Sequence, residues 1–524
     1  MNIRTLLLAV GSLLALAYAS AGDSTQTDSS AYKGYFQIGT DFNFGFSGGP
    51  TDPTFAVDTV ERYGGNWRGL RIPLETARSY EDHIDPFFML SFRAGYKNFH
   101  FLLEAPLRKD IEAWYDSDLK TNFTYKPSEL DIGVPINAYA LWNNPVGYVQ
   151  LGRFDPEDLK VSSNDLALGG TPYHDGLHWK FNAGIFRYDF LLSSLNAWLF
   201  GDVPGAEDPK TGCRYREGSE AAEQKCPEKG KQANNQRDRI YDDNVKNLVY
   251  HRIGVETRHF WTYIIEESMV GGKELEFRSM NPFMFLHNNF AGGYTKAVTT
   301  FEVGFTPIRT SKFYGQINME DINSPVGEDD DKGTNRSIFS YMVGYYQEIP
   351  TRRFGEFSWR FDVVRTDPVH NNGRLPLLEY SSRRLYRSNY REQDDPDYAD
   401  MYFVDYPIGY RRGSDALDMW LDLGWKWGRH AVKVTLAWLQ QGDKELYTDY
   451  DAAMQEETAP SGVKESQTFV DALYSMQYNS WFGFYLGGGF RKYDNLAHDR
   501  DEDGTDGWIR SGIKMTFNPV DTKF

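Results

Sequence analysis

The sequence predicts an all-β protein, a closed antiparallel transmembrane β-barrel of about 18 strands with short periplasmic turns and long extracellular loops. Three observations predict it. Apolar and polar residues alternate with period two through segments of about ten residues, the length of a tilted transmembrane strand. Short and long connections alternate strictly along the chain. Aromatic residues make up 16% of the 524 residues, as 13 Trp, 34 Tyr and 35 Phe, a content that excludes intrinsic disorder.

The N-terminus predicts export. Arg4 precedes an apolar stretch from Leu6 to Ala17, followed by Ala17-Tyr18-Ala19 and Ala19-Ser20-Ala21, either of which suits signal peptidase. The apolar stretch is shorter than the roughly 20 residues of a spanning helix. Residues 1–19 are therefore expected to be a signal peptide, 20–31 a flexible leader and 32–524 the barrel. Removing Arg4 moves the net charge from −18 to −19.

The strands follow in order. From Gly34 to Phe46 the even positions Phe36, Ile38, Phe42, Phe44 and Phe46 are apolar, while Gln37, Asp41 and Asn43 between them are polar. Phe88, Leu90, Phe92 and Ala94 alternate with Ser91 and Arg93, turn at Lys97-Asn98, and return through Phe99, Phe101, Leu103 and Ala105. The same pattern places strands at 130–142, 146–154, 177–184, 186–198, 248–257, 259–266, 296–306, 312–321, 337–347 and 356–366. Leu417, Met419, Leu421, Leu423 and Trp425 alternate with Asp418, Asp422 and Lys426, turn at Gly428-Arg429, and return through Val432, Val434, Leu436 and Trp438. Strands at 468–478, 481–492 and 507–517 close the series. Pro519 breaks the last ladder, so either Phe517 or Phe524 ends it. Lipid offers no hydrogen bonds, so every backbone amide must pair within the sheet, and only closure removes its edges.

The long loops are polar and acidic. Residues 47–86 form a Gly- and Pro-containing first loop that is a candidate to fold inward. Cys213 and Cys226 lie in the largest loop, at 199–247. An oxidising compartment favours a disulfide over two thiols, worth roughly 3 kcal/mol of loop ordering. Asp499, Asp501 and Asp503 before Gly504 mimic the start of a calcium loop, but Arg510 stands where a bidentate Glu is needed. A solvated acidic loop is the simpler reading, and no metal or other cofactor is expected. The sequence has no His-Glu-x-x-His pair and no Gly-x-Ser-x-Gly elbow, so no enzyme is expected. A pI near 5.1 excludes nucleic acid as a partner, because phosphate backbones require a basic face.

Inward positions of the strands supply candidate lumen residues: Asp41, Arg93, Glu104, Lys180, Arg187, Glu302, Arg360 and Asp362. Glu266-Glu267, Gly271-Gly272 and Met280-Asn281-Pro282-Phe283 form one motif; Tyr314-Gly315-Gln316 leading to Glu320-Asp321 forms a second. Tyr406-Pro407-Ile408-Gly409 with Gly413-Ser414-Asp415-Ala416 forms a third. In order and spacing these resemble the family of the capsule assembly outer-membrane protein Wzi, over roughly residues 130–440. The sequence departs from that family in lacking a clear N-terminal helical bundle and in carrying Ile408 where Leu is usual. The resemblance implies an 18-stranded barrel that holds surface or capsular polysaccharide through its outer loops. Sugar rings pack on aromatic faces, which makes Trp114, Tyr115, Tyr380 and Tyr390 candidate contacts. Arg383, Arg384, Arg387 and Arg391 would form a basic patch for anionic sugars. The rival reading is a porin or substrate-specific diffusion channel. The expected partners are the lipid bilayer and lipopolysaccharide, surface polysaccharide and the barrel-assembly machinery, and the expected location is the outer membrane of a Gram-negative cell.

Overall fold

The computed structural model describes residues 34–48, 58–61, 68–83, 85–115, 117, 120–131, 136–197, 214–215, 224–225, 245–272, 281–284, 294–321, 337–372, 378–387, 401–446, 448, 454 and 456–523. The signal segment, the leader, Cys213, Cys226, Tyr390, Arg391 and Phe524 lie outside these residues.

Eighteen long strands form among the described residues. The first six are β1 (Gly34–Gly48), β2 (Phe88–Tyr96), β3 (Phe99–Lys109), β4 (Asn137–Asn144), β5 (Gly147–Phe154) and β6 (His174–Ala183). Next come β7 (Phe186–Leu195), β8 (Val245–Glu256), β9 (Phe260–Gly272), β10 (Tyr294–Phe305), β11 (Ser311–Asp321) and β12 (Ile338–Thr351). The last six are β13 (Gly355–Arg365), β14 (Ala416–Trp427), β15 (His430–Gln441), β16 (Glu465–Gln477), β17 (Phe482–Asp494) and β18 (Gly504–Lys523). Each pairs antiparallel with the next, and β18 pairs with β1, with Phe42 opposite Met515, so the sheet closes. Two short rungs at the rim, Lys120–Thr121 against β1 and Leu130–Asp131 against β3, complete the 20-stranded sheet.

Two expectations about strand ends are corrected. The strand expected at 130–142 starts at Asn137, because Leu130–Asp131 pairs instead with the end of β3. Pro519 does not end β18. Ile38 faces Val520 and Thr40 faces Phe517, so Asn518 and Pro519 share the single Gly39 as a bulge. A bulge leaves one amide out of the ladder, which is where a residue without an N–H fits.

The short turns share one end with both described chain ends. Gly184 at φ +61 and Gly428 at φ +58 take the left-handed backbone that two-residue turns require. The outer wall is apolar. Phe36, Phe44, Phe101, Leu151, Ile253, Ile264, Val303, Val343, Leu486 and Ile509 all face outward and are exposed. Near the short turns Tyr96, Phe99, Trp142, Phe186, Phe260, Trp427, Tyr478 and Trp481 form an exposed aromatic ring, the girdle of a membrane interface. A closed antiparallel sheet with such a belt spans an outer membrane. Among the described residues no helix is long and apolar enough to cross a membrane.

Described residues of two loops pack inside the barrel. Leu159, Ala167 and Leu168 of loop 155–173, with Leu378, Tyr380 and Ile408 of loop 366–415, pack on inward Leu191, Leu248, Tyr250 and Ile265. Leu166 and Tyr410 extend this core onto Tyr314, Met342 and Val364. Burying these side chains replaces the water that an empty lumen would hold. Above them a cap forms from α1 (Leu74–His83), α2 (Ile111–Tyr115) and a four-stranded sheet of Asp58–Glu61, Arg68–Arg71, Met401–Pro407 and Ser381–Arg387. Its core is Ile72, Ala77, Tyr80, Ile111, Trp114, Val404 and Tyr406.

Candidate functional site in the lumen

The filled side is fixed by hydrogen bonds that cross the barrel. Loop 155–173 leaves β5 and reaches the opposite wall, where Asn164 Nδ2 donates to Asp362 Oδ2 at 2.9 Å and the Leu166 amide donates to Gln316 Oε1 at 2.8 Å. Gln316 Nε2 donates in turn to Asp165 Oδ2 at 2.6 Å and to Glu302 Oε2 at 2.9 Å. The Gly170 amide bonds Ile408 O at 3.2 Å, tying the two inward loops together. A Cβ on Gly170 would sit 1.9 Å from Pro407 O, so only glycine allows this approach. Buried polar groups need such partners, since an unmade bond in the interior costs about 1–3 kcal/mol.

Among the described residues two cavities lie along the wall of β14–β18. An upper cavity of about 340 Å³ and a lower one of about 500 Å³ share Leu473 and Arg510 in their linings. The upper cavity is lined by six cations, Arg78, Arg411, Arg412, Lys433, Arg491 and Arg510, against three carboxylates, Glu75, Asp422 and Asp471. The lower one carries Lys426, Arg429, Lys514 and Arg510 against Asp85 alone. Period-two alternation puts Asp422, Lys426, Lys433, Asp471, Arg491, Arg510 and Lys514 inside, because Leu421, Leu423, Leu486, Phe490, Ile509 and Ile513 occupy the outward positions between them. Along β17 and β18, Arg491, Arg510 and Lys514 descend in steps. Arg491 lies across from Asp506, Arg510 from Gly487 and Lys514 from Gly483.

Helix α1 roofs this passage. Glu75 meets Arg412 at 3.4 Å, and Arg78 donates to Gly170 O at 3.0 Å. Burial alone would raise the Glu75 carboxyl, but Arg412, Arg78, Arg491 and Arg411 outweigh it and hold the group below its usual range. Glu75 therefore stays ionised as a bridge between the roof and loop 366–415.

Of the residues expected to touch polysaccharide, Trp114 and Tyr380 are buried. Trp114 is fully buried between Tyr80 and Tyr115, and Lys120 stands over its ring at 5.3 Å. Tyr115 ends α2 beside it. Tyr380 is 1% exposed, and its hydroxyl donates to Glu267 O at 2.7 Å. Trp114 and Tyr115 belong to the core of the cap, and Tyr380 packs between loop 366–415 and the wall. Two arginines of the expected basic patch are paired: Arg383 with Asp405 and Arg384 with Glu81 at 3.0 Å. Arg387 ends its strand.

The expected lumen residues sit at inward strand positions, mostly in pairs. Arg93 meets Glu104 at 3.4 Å, Arg187 meets Glu256 at 3.1 Å, and Arg252 meets Glu302 at 3.1 Å. Arg360 lies 5.4 Å from the Tyr346 ring, Tyr314 donates to Asp362 at 2.5 Å, and Asp41 is exposed on β1. Among the described residues Asp158, His178 and Asp189 bring ligand atoms within 4.8 Å of one another. The Lys180 ammonium already serves them as a cation, 2.6 Å from Asp158 and 4.0 Å from Asp189.

The motif residues divide between the two faces of the wall. Glu267 points inward and Glu266 outward, beside His251. Asn281-Pro282-Phe283 lies against the outer wall, where the Tyr188 hydroxyl donates to Pro282 O and the Phe283 ring meets Trp179 edge-on at 5.9 Å. Glu320 pairs with Lys296 at 3.1 Å and faces His370 at 3.3 Å, and Asp321 ends β11. Gly409 lets loop 366–415 approach Leu166 O, 2.5 Å from where a Cβ would be. Asp415, at φ 57, accepts the Ser461 amide at 2.9 Å.

Sequence reading missed Arg411, Arg412, Arg491, Arg510, Trp420 and Asp471. For Arg491, Arg510 and Asp471 the signal was present, since each is a charge at an inward position of a strand that alternates clearly. For Arg411 and Arg412 no periodic signal exists, because they sit in a loop.

No protein-family model matches the chain, and no curated protein matches it. Solved structures with a similar arrangement include OccK2 (OpdF) of Pseudomonas aeruginosa, at TM-score 0.42 and 6% identity, covering 93% of this chain and 98% of that one. OprD of the same organism gives 0.39 and 8%, covering 95% and 100%. An anion-selective porin from Comamonas acidovorans gives 0.35 and 9%, covering 92% and 100%.

Proposed function

We propose that this chain is a non-enzymatic outer-membrane channel for small anionic solutes. The observation that carries the proposal is the cationic wall of β14–β18, lining two cavities inside the barrel. A narrow cleft between low-dielectric walls focuses the field of its charges and concentrates counter-ions. Glu75 and the acidic residues of the wall hold the arginines in place, and the excess of cations sets the sign. The partners this reading implies are lipopolysaccharide around the belt and the machinery that inserts barrels. Its test is conductance of the purified protein in planar bilayers. Stable ohmic steps are expected, and Arg491→Gln together with Arg510→Gln should lower their anion preference. Silence of the folded protein would contradict the channel.

A second reading, that the loops hold surface or capsular polysaccharide as the motif resemblance implies, is favoured by one observation. The four-stranded sheet of the cap joins Asp58–Glu61 and Arg68–Arg71 to Met401–Pro407 and Ser381–Arg387, a platform built from two separate loops. Retention of native polysaccharide by a protein that does not conduct would favour this reading over the channel.

A further inference from the structure

The wall of the passage carries more than charge. At three levels a cation and an aromatic ring stand together with a carboxylate on the same lining. At the top Arg411 lies 5.0 Å from the Trp420 ring, with Asp422 next along the inner face of β14. In the middle Arg491 is the cross-strand neighbour of Phe469. Phe469 stacks on Trp508 at 5.5 Å, and Trp508 Nε1 donates to Asp471 at 3.1 Å. Asp471 also holds Arg510. At the bottom Lys514 lies 5.5 Å from the Tyr485 ring and 2.6 Å from Asp85.

Small inorganic anions need only the cations. The rings add apolar faces on which pyranose rings pack, and the carboxylates accept hydroxyl hydrogens. A guanidinium fork matches a carboxylate in two parallel bonds. Four residues separate the Arg510 and Lys514 levels, about 13 Å along the strand, so a single acidic sugar reaches one level. A linear chain of acidic sugars reaches several at once, and binding at linked sites multiplies. Glycine at 487 on the inner face of β17 makes room for Arg510 itself, whose Nε would stand 3.2 Å from a Cβ there.

We propose that the passage along β14–β18 is a binding path for short oligosaccharides of uronic acids, with Trp420 as its entry ring. This rests on the channel reading for transport, while the binding site itself can be measured separately. The probes are tri-galacturonate, glucuronate and the neutral maltotriose, followed by block of single-channel current and by tryptophan fluorescence of the folded protein in detergent. Tri-galacturonate should act at concentrations about tenfold or more below either of the others. Trp420→Ala should weaken it by about tenfold, whereas Trp420→Phe, which keeps a ring, should retain most of the affinity. Equal potency of glucuronate and tri-galacturonate, or of maltotriose, in a protein that gives anion-selective steps would overturn the proposal and leave the channel standing. Selective fluorescence titration by tri-galacturonate without any conductance would support the site and remove the channel. Absence of both signals would remove both.

Discussion

Both ring nitrogens of His498 face acceptors at the outer rim. Nδ1 lies 2.7 Å from Val463 O, and Nε2 lies 3.0 Å from Glu445. Only an imidazolium can donate at both. The bond to Glu445 lifts the group to about 9 against the cost of burial, with the Val463 carbonyl adding to the rise. A folded pKa above the unfolded 6.5 stabilises fully below pH 6.5 and is lost as pH climbs through about 9. Loops 442–464 and 495–503 should therefore be cleaved by an added protease severalfold faster at pH 10 than at pH 7. His498→Gln should show little of that difference; equal cleavage of the native protein at both pH values would contradict the tether. A single His next to an acidic run gives no sign of this in the sequence, because its partners lie 53 and 35 residues away. The same holds for Trp114 and Tyr380. Aromatic residues in non-periodic segments look like surface groups until the chain brings a wall against them.

At the scale of elements, strands were legible and loops were not. A strand buries a face every second residue, so Leu421 and Leu423 around Asp422 announce both its existence and its orientation. Loop 155–173 obeys no period, and its place against β10–β13 depends on Asn164, Asp165 and Leu166 meeting groups 150 or more residues distant. Residues 47–86 were the candidate to fold inward. In the structure the described residues of loops 155–173 and 366–415 pack inside the barrel, while α1 of the first loop contributes Glu75 and Arg78 to the upper cavity. The joint between those two loops is the weak point of the filling. Gly170→Ala puts a methyl where Pro407 O now stands, which should part them and enlarge the conductance step. An unchanged step in a correctly inserted variant would mean that the joint does not limit the passage.

The whole molecule carries a formal charge of −18, yet the two cavities along β14–β18 are lined with more cations than carboxylates. Under the proposed channel function, net charge is a poor guide to the ion that would cross, because solvent screens the acidic loops within about 10 Å at 0.1 M salt while a narrow lumen is screened far less. Composition and alternation were enough for a membrane barrel, whose outer face must be apolar everywhere. The lumen is legible only once it is known which walls the loops cover and which they leave wet. The zero-current potential of single channels across a steep KCl gradient reads that difference directly. A potential whose sign reports chloride as the favoured ion, and which shrinks as total salt rises, is the predicted result. A cation-selective potential, or one that Arg491→Gln and Arg510→Gln leave unmoved, would contradict it.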